Sequence, residues 1–231
     1  MMENDTKSPE VEIIRTADGS SSLFVPEMGE HYHSVNGAIT ESIHIFINAG
    51  LKYVMNDQNP VRILEIGFGT GLNAFLTWHE ARAAKINVHY TAIEKYPLKQ
   101  EVYHQLNYPE LMGYPFGEEC FMKIHELQWD APHEVMEHFI LHKINTDIED
   151  YYPGKDRFDL VYFDAFGPGF QPDMWTTDLF KKMATALRPG GILVTYSTKG
   201  TVKRSVKEAG FRIEKLPGPI GKREILRALV I

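Results

Sequence analysis

The sequence predicts an α/β fold: a mostly parallel, doubly wound sheet with an antiparallel edge hairpin and an N-terminal β/helix extension. Three observations predict it. Short apolar runs at 61–67, 88–95, 158–166 and 191–198 alternate with amphipathic segments at about 71–84, 97–106 and 175–187. Strands separated by helix-length crossovers pair in parallel. A glycine-rich turn, Gly67-Phe68-Gly69-Thr70-Gly71, stands where the first of these strands should pass into a helix. The last two strand-like runs, FRIEKL and REILRALVI, are too close together to hold a helix between them, so they close as a hairpin.

Taken in order, residues 11–25 hold two β-rich runs around Asp18-Gly19, a hairpin signal. Ile39, Ile43, Phe46, Ile47 and Val54 recur at helical spacing, which predicts a helix over about 38–55 with that stripe inward. Residues 1–58 are therefore expected to form an extension packed on a core of residues 59–231. Within the core, the stretch near 120–147 is expected to be a hairpin insertion, FMKIHELQW pairing with HEVMEHFILHKI. The helix over 175–187 stops at Pro189-Gly190-Gly191, and another fits Gly200 to Ala209.

At 231 residues, 43% apolar and 24% charged, the chain has the composition of one globular domain. It holds no apolar run near the roughly 20 residues that span a bilayer, so no membrane partner is expected. The first ten residues lack a signal-peptide pattern, and a lone Cys120 makes no internal disulfide, so the expected compartment is the cytoplasm. A net charge of −7 ordinarily argues against a polyanion partner. Residues 199–231, however, carry nine basic residues against three acidic ones, leaving −13 on the other 198. That local balance suits either a solvated surface or a phosphate-binding face.

The glycine turn lets a ligand approach the backbone closely, with helix N–H groups beyond it. A dinucleotide motif would place its third glycine where this chain has Asn73, so NAD or FAD fits poorly. Glu65 precedes the glycines, and Glu94 falls 27 residues after Gly67, at the end of the next strand, where a carboxylate can accept two ribose hydroxyls or simply be solvated. With Asp147 further on, the set resembles the S-adenosylmethionine site of Rossmann-like class I methyltransferases. The resemblance implies cofactor contacts by Glu65, Gly67, Gly69, Gly71 and Glu94, and an adenine contact by Asp147. Asp164-Ala165-Phe166-Gly167-Pro168 ends a strand at the carboxyl edge of the sheet, where ligands of open α/β folds bind. Asp164 there can orient or deprotonate an amine, or merely cap a turn. The histidine spacings fit no metal site, so no metal is expected.

ILEIGFGTGLNAFLTW (63–78), YTAIEKYPL (90–98), DAFGPGFQPDMWTTDLF (164–180), RPGGILVTYSTKGTVKRSVKEAGF (188–211) and PGPIGKREIL (217–226) are together similar to the methyltransferase domain of the MnmC group, with YHSVNGAITESIHIFINAG (32–50) upstream. The resemblance covers about residues 32–231 and implies a stand-alone methyltransferase without the flavin oxidase of bifunctional members. It implies S-adenosyl-L-methionine as cofactor and N-methylation of the 5-aminomethyl group of a (2-thio)uridine at the wobble position of tRNA. A separate enzyme would supply the aminomethyl precursor. Asp164 would be catalytic; Phe166, Pro168 and Trp175 would shape the base slot; Lys222 and Arg223 would hold RNA of the anticodon region. The alternatives are a methyltransferase for a small-molecule or protein amine, and a NAD-dependent oxidoreductase.

Overall fold

The computed structural model describes residues 8–56 and 58–230; residues 1–7 and Asp57 of the expected extension, and Ile231, lie outside the described residues. Strands β1 (Glu12–Arg15), β2 (Ser21–Val25) and β3 (Glu30–His31) form an antiparallel meander. Asp18, in the β1–β2 turn, accepts from the Ser20 N–H and from the Thr40 N–H and hydroxyl. One carboxylate thus closes the hairpin and satisfies first-turn donors of the next helix. That helix, α1, begins as Ala38–Ser42, widens into π-type turns over Ile43–Leu51 and closes with Lys52–Val54. It buries Ile45, Phe46, Ile47 and Leu51, close to the stripe its sequence predicts.

The core continues with β4 (Val61–Ile66), α2 (Leu72–Ala84), β5 (Val88–Glu94), α3 (Gln100–Tyr103), α4 (Tyr108–Met112), α5 (Gly117–Glu126), β6 (Pro132–Met136) and β7 (Phe139–Asn145). Then follow β8 (Phe158–Phe163), a 3₁₀ turn at Pro172–Trp175, α6 (Thr177–Ala186), β9 (Leu187–Thr195), α7 (Gly200–Glu208), β10 (Phe211–Pro217) and β11 (Glu224–Val230). The sheet order is β10-β11-β9-β8-β4-β5-β7-β6, parallel from β9 to β7 and antiparallel at both edges. Every residue of β8 is buried, and every residue of β4 but Arg62, as a strand covered on both faces requires. Val61 and Ile63 face the cluster formed with α1, α2 and α5, whereas Leu64 and Ile66 face α6 and α7. Each fully buried Phe, Leu or Ile in these layers contributes roughly 1.5–3 kcal/mol.

The expected insertion over 120–147 is corrected. FMKIHE belongs to helix α5, and the hairpin is the shorter β6–β7 pair. Nor is β7 an insertion: it pairs in parallel with β5 from Val88↔Phe139 to Glu94↔Asn145, making it a core strand. Its sequence hides this because Lys143 sits on the buried face, 1% exposed. The Lys143 ammonium donates to the His125 carbonyl at 2.6 Å and lies 4.8 Å from the Trp129 ring centroid, partners that a buried amine requires. The helix expected over about 97–106 is shortened to α3, and a further short helix, α4, follows it, opening on Tyr108-Pro109.

Candidate active site

From β4 the chain steps to β5 and β7 on one side, then crosses back to β8 and β9 on the other. A crevice opens at the carboxyl ends of strands where the order reverses, and here it is a cavity of about 1060 Å³. Gly67, with φ +87°, makes the first wall; a Cβ there would lie 2.7 Å from the Asp164 carbonyl oxygen, so two backbones touch where only glycine fits. The Gly69 N–H donates to Glu94 Oε2 at 2.9 Å and the Tyr96 N–H to Oε1 at 2.8 Å. Burial raises the Glu94 pKa, opposed by these N–H groups. Asp147 meets the Lys95 ammonium at 2.9 Å. Burial pushes its carboxyl up, but the Glu149 N–H and Lys95 outweigh that and hold it below its usual range.

Asp164 follows β8 on the opposite wall, and its Oδ2 accepts from the Asn73 amide at 2.9 Å. Burial raises its pKa to about 7 against the pull of that hydrogen bond; Glu41 adds to the rise and Lys222 opposes it. The loop it begins is pinned by three donors: Asp164 N–H to Ile66 at 3.0 Å, Tyr196 hydroxyl to Ala165 at 2.9 Å, and Trp175 indole to Phe166 at 2.8 Å, each onto a carbonyl. Lys222 pairs with Glu41 and lies 4.1 Å from the Tyr196 ring centroid.

Of the residues singled out in the sequence, Gly67, Gly69, Glu94, Asp147, Asp164, Phe166, Pro168, Lys222 and Arg223 line this one cavity. Three do not. Glu65 is fully buried on the α2 face of β4, with Asn73 between it and the cavity. Gly71 begins α2 against His125, where a Cβ would meet Nε2 at 2.9 Å. Trp175 is buried beneath the Asp164 loop against Phe163 and Phe180, so it supports the wall rather than forming it. Sequence reasoning also missed contributors. Tyr32, from the extension, lies against Gly69 and edge-on to Phe166 at 5.0 Å. His125 stacks on Tyr103 and donates to the Thr70 carbonyl at 3.1 Å, buttressing the glycine turn; burial lowers its pKa to about 3, so it is neutral. These contacts span dozens of residues and leave no local pattern. Asn73 did leave one: a polar side chain where a third glycine was sought.

A doubly wound sheet whose crevice presents bare glycine backbone to a carboxylate on the neighbouring strand is a nucleoside-cofactor site of the Rossmann-like kind. Residues 121–230 match a family model described as S-adenosyl-L-methionine-dependent methyltransferase. The bifunctional protein MnmC of tRNA 5-methylaminomethyl-2-thiouridine biosynthesis from Pseudomonas entomophila is 35% identical over 211 residues, 83% of this chain and 31% of that protein. Its Cupriavidus necator counterpart is 31% identical over 214 residues, 86% and 31%. The chain thus spans about a third of the length of these curated relatives. The crystal structure of MnmC2 from Aquifex aeolicus superposes with a TM-score of 0.76 at 27% identity, covering 96% of this chain and 70% of that one. Over residues 121–230 the chain thus matches an S-adenosyl-L-methionine-dependent methyltransferase family, and over most of its length it is similar to MnmC.

The cavity suits that cofactor. Asn73 Oδ1 is a buried acceptor without a partner, the carboxylates of Glu94, Asp147 and Asp164 all line the wall, and the Gly67 cradle would be filled by any side chain. Acceptors dominate, as a cationic nucleoside rich in donors requires. No helix among the described residues is long and apolar enough to cross a membrane.

Proposed function

We propose that the protein N-methylates the 5-aminomethyl group of a (2-thio)uridine at the wobble position of tRNA. The observation that carries this reading is Asp164, a cavity carboxylate with its pKa raised to about 7, beside the apolar wall of Phe166 and Pro168. Bound S-adenosylmethionine supplies an electrophilic methyl group on sulfonium sulfur. Glu94 would hold its ribose, Asp147 its adenine, and the backbone at Gly67 its methionyl part. A primary ammonium has no lone pair, so Asp164 first takes a proton from the substrate nitrogen. The free amine so formed could accept that methyl, the positive charge passing from sulfur to the substrate nitrogen. Tyr196 and Trp175 keep the Asp164 loop still, so catalysis is largely positioning.

The mouth of the cavity supports an RNA partner reached through its anticodon region. Phe170 is 46% exposed there, open to base stacking. Lys199 and Arg223 line the same mouth and make no ion pair among the described residues. The precursor comes from a reaction that uncovers the primary amine, in the compartment where tRNA is modified. Incubation with tRNA carrying aminomethyluridine and isotopically labelled cofactor, followed by nucleoside mass spectrometry, tests the reading. One labelled methyl on the wobble nucleoside is expected; label on a small amine or a protein, with none on tRNA, overturns it.

A further inference from the structure

We propose that Asn73 is the positioning residue for Asp164, held from behind by Glu65. This rests on the reading of Asp164 given above. The Asn73 amide nitrogen donates to Asp164 Oδ2 at 2.9 Å and to Glu65 Oε1 at 3.0 Å. An amide nitrogen has two hydrogens in one plane, so each carboxylate takes one and the side chain has no freedom left to rotate. Glu65, 0% exposed and behind Asn73, meets no cavity ligand itself. A fully buried carboxyl is costly, and anchoring Asn73 gives it a role. The result is that one oxygen of Asp164 is fixed and the other is left for the substrate nitrogen. The hydrogen bond also favours the ionised form of Asp164, against burial and the Glu41 carboxylate, with Lys222 on the same side as Asn73. Around it the Tyr196 hydroxyl donates to the Ala165 carbonyl and the Tyr90 hydroxyl neighbours Glu65; burial raises both tyrosines, and burial also raises the Glu65 carboxyl. Without Asn73, Asp164 would stay protonated to higher pH and its free oxygen would swing.

The test compares Asn73→Ala and Asn73→Ser in wild-type and Asp164→Asn backgrounds; a serine hydroxyl is too short to span both carboxylates, and it carries the comparison if the alanine variant does not fold. The first readout is the ¹³C carboxyl titration of Asp164 in ligand-free protein, identified by its loss in Asp164→Asn. Its midpoint is expected to move to higher pH in the Asn73 variants. The second is turnover at saturating cofactor and tRNA. A loss of about tenfold or more near neutral pH is expected, narrowing as pH rises, with KM for cofactor changed less than about threefold. In the Asp164→Asn background the same substitutions should cost less than about twofold. An unmoved carboxyl midpoint, or an equal loss in both backgrounds, overturns the proposal. A wild type that methylates no tRNA overturns the acceptor reading instead, and the titration, which needs no acceptor, still decides the link between Asn73 and Asp164.

Discussion

Asp164 has an ordinary pKa of 3.8 in an unfolded chain and about 7 in the fold, so as pH rises the unfolded chain releases its proton first. Its protonated form therefore stabilises the fold fully below about 3.8, and that contribution is lost as pH climbs through 7. Asp164→Asn is neutral at every pH. It is expected to melt close to wild type near pH 4 and above it at pH 8, by at most about 4 kcal/mol, while losing nearly all methyl transfer because an amide accepts no proton. Calorimetric melting across that range checks the sign; a melting difference independent of pH would remove the raised pKa from the account. Gly67 acts on the same carboxylate loop. Gly67→Val places its Cβ 2.7 Å from the Asp164 carbonyl, so it should abolish cofactor binding in calorimetry and also lower the melting temperature, because the loop must move. A melting temperature equal to wild type would mean the loop yields freely.

The meander and the turn after it bring Glu30, His31, Tyr32 and His33 to the cavity, and of these Tyr32 packs on the glycine turn and edge-on to Phe166. Tyr32→Ala opens that wall, and an aromatic contact of this kind is worth about 1 kcal/mol beyond its buried area. Cofactor affinity should fall about five- to tenfold with the melting temperature nearly unchanged, since the ring packs at the edge of the core; unchanged affinity by calorimetry would make the extension a mere cover. The elements themselves were legible in the sequence to differing degrees, for physical reasons. The β1–β2 hairpin and α1 were readable because Asp18-Gly19 is local turn chemistry and the α1 stripe is a local period. The same local logic failed at α5 and β7. Cys120, Phe121 and Ile124 make a helical face too short to outvote alternation, and Lys143 disguises a core strand. At the site, Glu94 and Asp164 were readable because a strand end fixes where its last side chain lies. Glu65 and Trp175 were misplaced because the sequence does not show which side of a backbone faces the cavity.

Over the whole molecule, charge is divided between the site and the surface. Of the nine basic residues from Lys199 onward, Arg212, Lys215, Lys222 and Arg227 are paired with Glu214, Glu224, Glu41 and Glu214. Lys222 is therefore a buttress of the Asp164 wall first, and its charge is already matched. Lys199, Lys203, Arg204, Lys207 and Arg223 make no ion pair among the described residues, and these are the cations a phosphate backbone can use. Counterion release makes the logarithm of RNA affinity fall linearly with the logarithm of salt, at roughly 0.7–0.9 per phosphate contact. Replacing Lys199, Lys203, Arg204 and Arg223 together by glutamine should weaken tRNA binding and flatten that slope, with the dissociation constant for S-adenosylmethionine unchanged because none of the four reaches the Gly67–Glu94 end of the cavity. Lys222→Met should do the opposite: a near-normal salt slope, but a methyl-transfer profile whose acid limb moves to higher pH, since Asp164 loses the one cation that pulls its pKa down. Fluorescence titrations of tRNA at several salt concentrations separate the two variants. A slope that is identical in wild type and the quadruple variant would take the basic end of the chain out of the RNA-binding surface and leave recognition to the mouth of the cavity alone.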